Sequence, residues 1–193
     1  MIRSSYCGCC LLFFCLLTVG CASGALSQQR EQQILVNEST LKELMARGDA
    51  SAAVGDMTRA EQYFVAALKA GGNERALVQR LLVVCVADQR YPVAAEYVEQ
   101  YLHRHPLDTE LRFAAASLQA AIGDAPRARA LFESVIQERP QWAEAHYALA
   151  SVLREEGEPD ALADPQDLEY LKLSPRGPLA EMARARLSHR GAP

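Results

Sequence analysis

The residues able to do chemistry in this 193-residue chain are few and poorly grouped. His103 and His105 flank Arg104 just before Pro106. A two-residue spacing puts two imidazoles on one side only in a strand, whereas helix-forming residues surround this pair. At a helix end, cationic side chains instead suit the dipole. His146 and His189 have no acidic or cysteine neighbours spaced as ligands, although Glu144 and Glu155 are nearby in sequence. The run Arg154 to Asp160 (REEGEPD) clusters carboxylates around Gly157 and reads as a solvated acidic turn. Cys85 lies in an apolar stretch and reads as a buried thiol rather than a nucleophile. No glycine-rich phosphate loop is present. The reading is therefore of no enzyme, no cofactor, no metal and no small-molecule substrate, and function has to come from the surface that the helices build.

The other five cysteines, Cys7, Cys9, Cys10, Cys15 and Cys21, crowd the first 21 residues and leave Cys85 without an internal partner. Arg3 is followed by an apolar run from Cys9 to Val19, the order of a secretory signal. That run is shorter than the roughly 20 apolar residues a membrane span needs. The sequence Thr18-Val19-Gly20-Cys21 then resembles the lipobox of bacterial lipoproteins, with Thr18 where leucine is commonest. The resemblance implies a signal peptide over 1–20, lipid on Cys21 and a polar tether over 21–40. Ala22 and Ser23, with no Asp at the second mature position, resemble sorting to the outer membrane, facing the periplasm. Removing residues 1–20 takes away one charge and leaves 19 basic against 24 acidic residues, a net of −5. That balance argues against nucleic acid as a partner.

The body of the chain is rich in Ala, Leu, Glu, Gln and Arg and has no alternating β-branched runs, so it predicts an all-α fold. It is also periodic. Ala60, Ala94 and Ala128 stand 34 residues apart, each followed four places on by Phe64, Val98 or Phe132. Pro106 and Pro140 keep the same spacing, as do Gly123 and Gly157, with Gly55 two periods before Gly123. Pro92 and Pro126 fall at equivalent sites near the starts of second helices. Thr40-Leu41-Lys42-Glu43 has the form of a capping box at the start of the first.

This pattern resembles the tetratricopeptide repeat (TPR), two antiparallel helices packed through small residues. The resemblance implies a TPR-like α-solenoid over 41–187, with repeats at about 41–74, 75–108, 109–142 and 143–176. A capping helix follows over 178–189, with Leu179, Met182, Ala183 and Leu187 on one face and its arginines on another. In the fourth repeat Pro159 and Pro165 are expected to shorten the second helix, and one extra residue precedes Pro175.

In such arrays the first helix of each pair lines the inner face. The equivalent column there is Met45, Gln79, Phe113 and Tyr147, with Val83, Glu110, Ser117 and Arg154 on neighbouring rows. An apolar and aromatic stripe of this kind would anchor side chains of a protein partner. It would serve equally as packing beneath the next repeat or the capping helix. The chain is thus expected to be a membrane-tethered interaction scaffold or assembly adaptor of the bacterial envelope. Its alternatives are a factor resembling the pilotins of type IV pilus secretins, or an accessory subunit of a cell-wall or polysaccharide machine.

Overall fold

The computed structural model describes residues 40–188. Cys21, the signal and most of the tether lie outside them. Nine helices fill this span: α1 (40–53), α2 (Met57–Lys69), α3 (Glu74–Ala87), α4 (Tyr91–Arg104), α5 (Thr109–Ile122), α6 (Ala125–Glu138), α7 (Ala143–Glu155), α8 (Asp160–Leu173) and α9 (Ala180–Ser188). Among the described residues there is no strand, and no helix is long and apolar enough to cross a membrane.

Each helix is started and stopped by local chemistry. Asp56, Asn73, Asp108 and Asp124 accept from the backbone N–H three residues on, at 3.0, 2.9, 3.1 and 3.2 Å, and so cap α2, α3, α5 and α6. Pro92 and Pro126 occupy the first turns of α4 and α6, where no donor is lost. Thr40, which opens the capping-box pattern, is the first described residue of α1.

The turn inside each pair places Gly55, Gln89, Gly123 and Gly157, again 34 residues apart, at φ of 83°, 58°, 92° and 74°. Only glycine takes that conformation without cost, so Gln89 is the strained member.

The pairs α1/α2, α3/α4, α5/α6 and α7/α8 pack in sequence order. The fourth residue of each second helix, Ala60, Ala94, Ala128 and Ala163, has no exposed surface. The eighth residues Phe64, Val98 and Phe132 are likewise buried at 1%, 0% and 1% exposure. Close approach is enforced at the first pair, where a Cβ on Gly48 would stand 2.4 Å from the Phe64 ring.

The fourth pair differs from expectation. α8 runs to 14 residues, as long as α6, because Pro159 precedes the helix and Pro165 lies on its exposed side, where it removes one backbone bond without breaking the turn. The extra residue shifts its register by one: Ala163, not Leu162, takes the buried alanine position, and Asp167 takes the position held elsewhere by Phe64, Val98 and Phe132.

The capping helix α9 buries Ala180 and Ala183 but leaves Met182 half exposed. Its Arg186, expected on the polar face, turns inward because Asp167 awaits it at 3.5 Å.

Candidate functional site

The first helices of the pairs form one layer, tied across by Arg80 of α3, whose Nε donates to Asp49 of α1 at 3.0 Å. Met45, on α1, is half-buried and lines a depression of about 390 Å³ with Leu41, Lys42, Ala46 and Asp49. Gln79 is exposed, and Val83 leaves 68% of its surface in water. Between α3 and α5 runs an apolar furrow of about 240 Å³, with Leu82, Val86 and Tyr91 on one side and Ala114, Ser117 and Leu118 on the other. Ser117 is exposed, its hydroxyl donating to its own helix at the Phe113 carbonyl, 3.0 Å away. Ser117 thus helps to line the furrow, while Val83 stands exposed on the helix that supplies Leu82 and Val86 to it.

The remainder of the column is engaged within the molecule. Phe113 is half-buried, edge-on to Phe132 at 5.4 Å and stacked on Trp142 at 4.6 Å. Tyr147 meets Tyr170 at 5.5 Å and carries the guanidinium of Arg186 over its face at 4.3 Å. Arg154 contacts Asp164 at 3.0 Å and Asp167 at 2.7 Å, so its charge is engaged by α8. Glu110 takes Arg75 at 2.6 Å and Arg139 at 3.4 Å. The hydrogen bond from Arg75, followed by that from Arg139, holds its carboxyl below the ordinary range.

Trp142 is the functional-looking residue that repeat spacing missed. It sits outside any helix, at the N-cap of α7, and borders a recess of about 590 Å³ with Glu110, Arg139, Pro140 and Gln141. The signal was that it is the only tryptophan in the chain.

Cys85, His146, His105 and the acidic turn are engaged within the molecule. Cys85 is fully buried and its thiol is pushed up to about 11, by burial first and by Glu61 second. His146 is buried with its ring nitrogens 2.8 Å from Gln166 and 2.9 Å from the Pro140 carbonyl. His105 ends α4, 3.0 Å from Glu74. The acidic turn is docked rather than solvated, since Arg129 of α6 reaches Glu156 at 3.4 Å and Glu158 at 2.8 Å. Among the described residues no group of three or more His, Cys, Asp or Glu side chains is arranged to hold a metal ion.

Residues 85–152 match a family profile described as Tetratricopeptide repeat. Solved structures agree over a longer span. The chain superposes on YrrB, described as a TPR protein with an unusual peptide-binding site, with a TM-score of 0.66 and 20% identity over 86% of this chain and 88% of that one. The fold is a TPR solenoid. A TPR protein from Parabacteroides merdae gives 0.68 and 20% identity, covering 76% of this chain and 58% of its own. MamA gives 0.60 and 21% identity over 66% and 74%. No curated protein matches the sequence.

In this TPR solenoid the layer of first helices offers two kinds of surface. Around α1, α3 and the outer side of α5 it is open, apolar in the furrow and polar at Gln79. Toward α7 it is closed by Trp142, then by α9. An unfilled apolar volume of this layer lies in its open half, in the furrow between α3 and α5.

Proposed function

We propose that the chain is a protein-binding scaffold moored through lipid on Cys21 to the bacterial outer membrane, on the periplasmic side, where it holds a segment of another envelope protein against α3 and α5. The furrow between those helices carries this reading: it is apolar, about 240 Å³ in volume, and lined by Val86, which leaves 42% of its surface exposed. That volume suits one large apolar side chain of a partner, with Gln79 and Ser117 placed to bond its backbone. The peptide-binding site named for YrrB, on the same fold, supports the assignment. The lipobox resemblance at Thr18 to Cys21 supports the mooring.

Two measurements test it. Affinity capture from envelope membranes with Val83→Arg plus Ser117→Trp is expected to lose the partner recovered by the parent chain, with the melting temperature unchanged. Undiminished recovery overturns the furrow as the site. Cys21→Ser is expected to move the chain from the membrane fraction to the soluble periplasm, and retention at the membrane refutes lipid mooring.

A further inference from the structure

The inner faces of the first helices are not covered alike. Twenty-nine residues beyond Phe113 stands Trp142, whose ring stacks on it at 4.6 Å. The equivalent residue for Met45 is Glu74, and its carboxylate is drawn away to α4, where it pairs with Arg104 and, at 3.0 Å, with His105. No ring closes over Met45 from the next repeat. The space left is the depression of about 390 Å³ on α1, walled by Leu41, Met45 and Ala46 together with Lys42 and Asp49. Asp49 is bound by Arg80, whereas Lys42 is exposed and has no carboxylate partner among the described residues. Leu41 is also the second described residue of α1, so the preceding chain joins the helix at the wall of this depression. That stretch is polar from Ser27 to Gln33 and again from Asn37 to Thr40. Between them stand Ile34, Leu35 and Val36, the only run of three apolar residues over 22–40.

The geometry points to Ile34, Leu35 and Val36 as the occupants of that depression: the chain's own N-terminal segment folds back over the first turns of α1 and covers Leu41, Met45 and Ala46. Reach permits it. The triplet stands four to six residues before Thr40, a span of at most about 13–22 Å when extended, and the depression runs along about 12 Å of helix from Leu41 to Asp49. Asn37 and Ser39 suit the reversal, since their side chains bond the backbone of a turn. Glu38 brings a carboxylate to the end of α1 where Lys42 stands unpaired. A covalently attached triplet also acts at an effective concentration on the order of millimolar, which neither a second copy nor a foreign segment matches. The inference does not rest on the furrow between α3 and α5, which it leaves untouched. Its consequence is that the inner layer is closed at α1 by the chain itself and toward α7 by Trp142 and α9, so that only the stretch at α3 and α5 stays open.

Methyl-selective NMR of the full-length chain in detergent tests this. Overhauser contacts are expected between the Met45 methyl and the methyls of Ile34, Leu35 or Val36. Ala46→Arg, at an exposed position of α1, should abolish them and return the triplet's methyl shifts to those of a free peptide of residues 22–39, with helical content unchanged. Leu35→Asp, outside the repeats, should likewise move the Met45 methyl, while Val83→Arg on α3 should alter neither set of signals. Peptide-like shifts in the parent chain, contacts that survive Ala46→Arg, or a Met45 methyl indifferent to Leu35→Asp would overturn the proposal. So would contacts that grow with protein concentration, as a second copy would give, or that arise only when another protein is added.

Discussion

Phe132 and Asp167 occupy the same place, the eighth residue of a repeat's second helix, and both are buried. Around Phe132 the packing is apolar, with Phe113, Ala116, Ala128 and Leu149 in one cluster that continues the stack of the first three repeats. Around Asp167 it is ionic: Arg154 from α7 at 2.7 Å and Arg186 from α9 at 3.5 Å, with Asp164 beside them. The difference shows two ways to join repeats. Apolar packing stabilises whatever lies next to it, whereas a buried carboxylate specifies that its neighbour must bring cations. Asp167 thereby matches the arginine that α9 brings, Arg186 at 3.5 Å.

The largest effect should follow from emptying the apolar position. Phe132→Ala leaves a cavity between repeats 3 and 4 and is expected to cost about 4 kcal/mol, measured by urea unfolding, with the same loss at pH 5 and pH 8. A loss that varied with pH would mean that ionic contacts carry this junction too.

Asp167→Ala should cost less, about 2–3 kcal/mol, because Arg154 keeps Asp164 at 3.0 Å, Arg186 keeps the Ser151 hydroxyl at 3.0 Å, and the two retain 23% and 29% of their side-chain surface in water. Replacing the set together, Asp167→Leu with Arg154→Met and Arg186→Met, should recover only part of that loss, because buried Asp164 then loses its 3.0 Å contact with Arg154.

The pH dependence has a definite sign. Burial raises the Asp167 carboxyl above its ordinary 3.8, against the opposing pull of the two arginines. The folded state then holds a proton that the unfolded state has released, so this group's contribution falls as pH rises from 3.8 through the raised value. Asp108, the cap of α5, runs the other way. Burial pushes it up, but hydrogen bonds from Arg75, the Leu111 N–H and Tyr101 outweigh that and lower it. Its stabilisation is present above 3.8 and lost as pH falls through the lowered value. Hydrogen exchange followed between pH 3 and 6 should therefore show α5 loosening with acid, while the junction of α8 and α9 does not.

This contrast also explains what the amino-acid sequence disclosed. Ala60, Ala94 and Ala128 recur because helix backbones cross there, and a steric demand leaves a residue-type signature at fixed spacing; the four pairs could be read from it. The column Met45, Gln79, Phe113 and Tyr147 was equally visible, but spacing carries no information on what covers a side chain. Val83 is exposed and Ser117 borders open volume, while Phe113 meets Trp142 and Tyr147 meets Arg186. The ionic junction was hidden for a different reason. Asp164, Asp167 and Arg186 are residues that normally face water, and only the one-residue insertion, which moves Leu162 outward and Asp167 inward, turns them in.

The smallest effect sharpens the comparison most, because it asks whether the two kinds of junction unfold together. Gln89 holds a left-handed φ of 58° at the turn where the other three pairs have glycine. Releasing that strain, less the extra chain entropy of glycine, makes Gln89→Gly stabilising by about 0.5–1 kcal/mol. Its neighbours Asp88 and Arg90 pair with each other at 2.8 Å and Arg90 reaches Glu61 at 2.5 Å, so the turn is anchored and the new residue gains little mobility in the folded state. In a solenoid whose repeats are coupled end to end, that gain is transmitted to α9 and slows hydrogen exchange at Ala183 as much as at Val98. Where the ionic junction is the weaker link, protection rises at Val98 and stays constant at Ala183. The second outcome is expected, since α9 buries only Ala180 and Ala183 against Tyr170, a smaller apolar contact than Phe132 makes with its cluster.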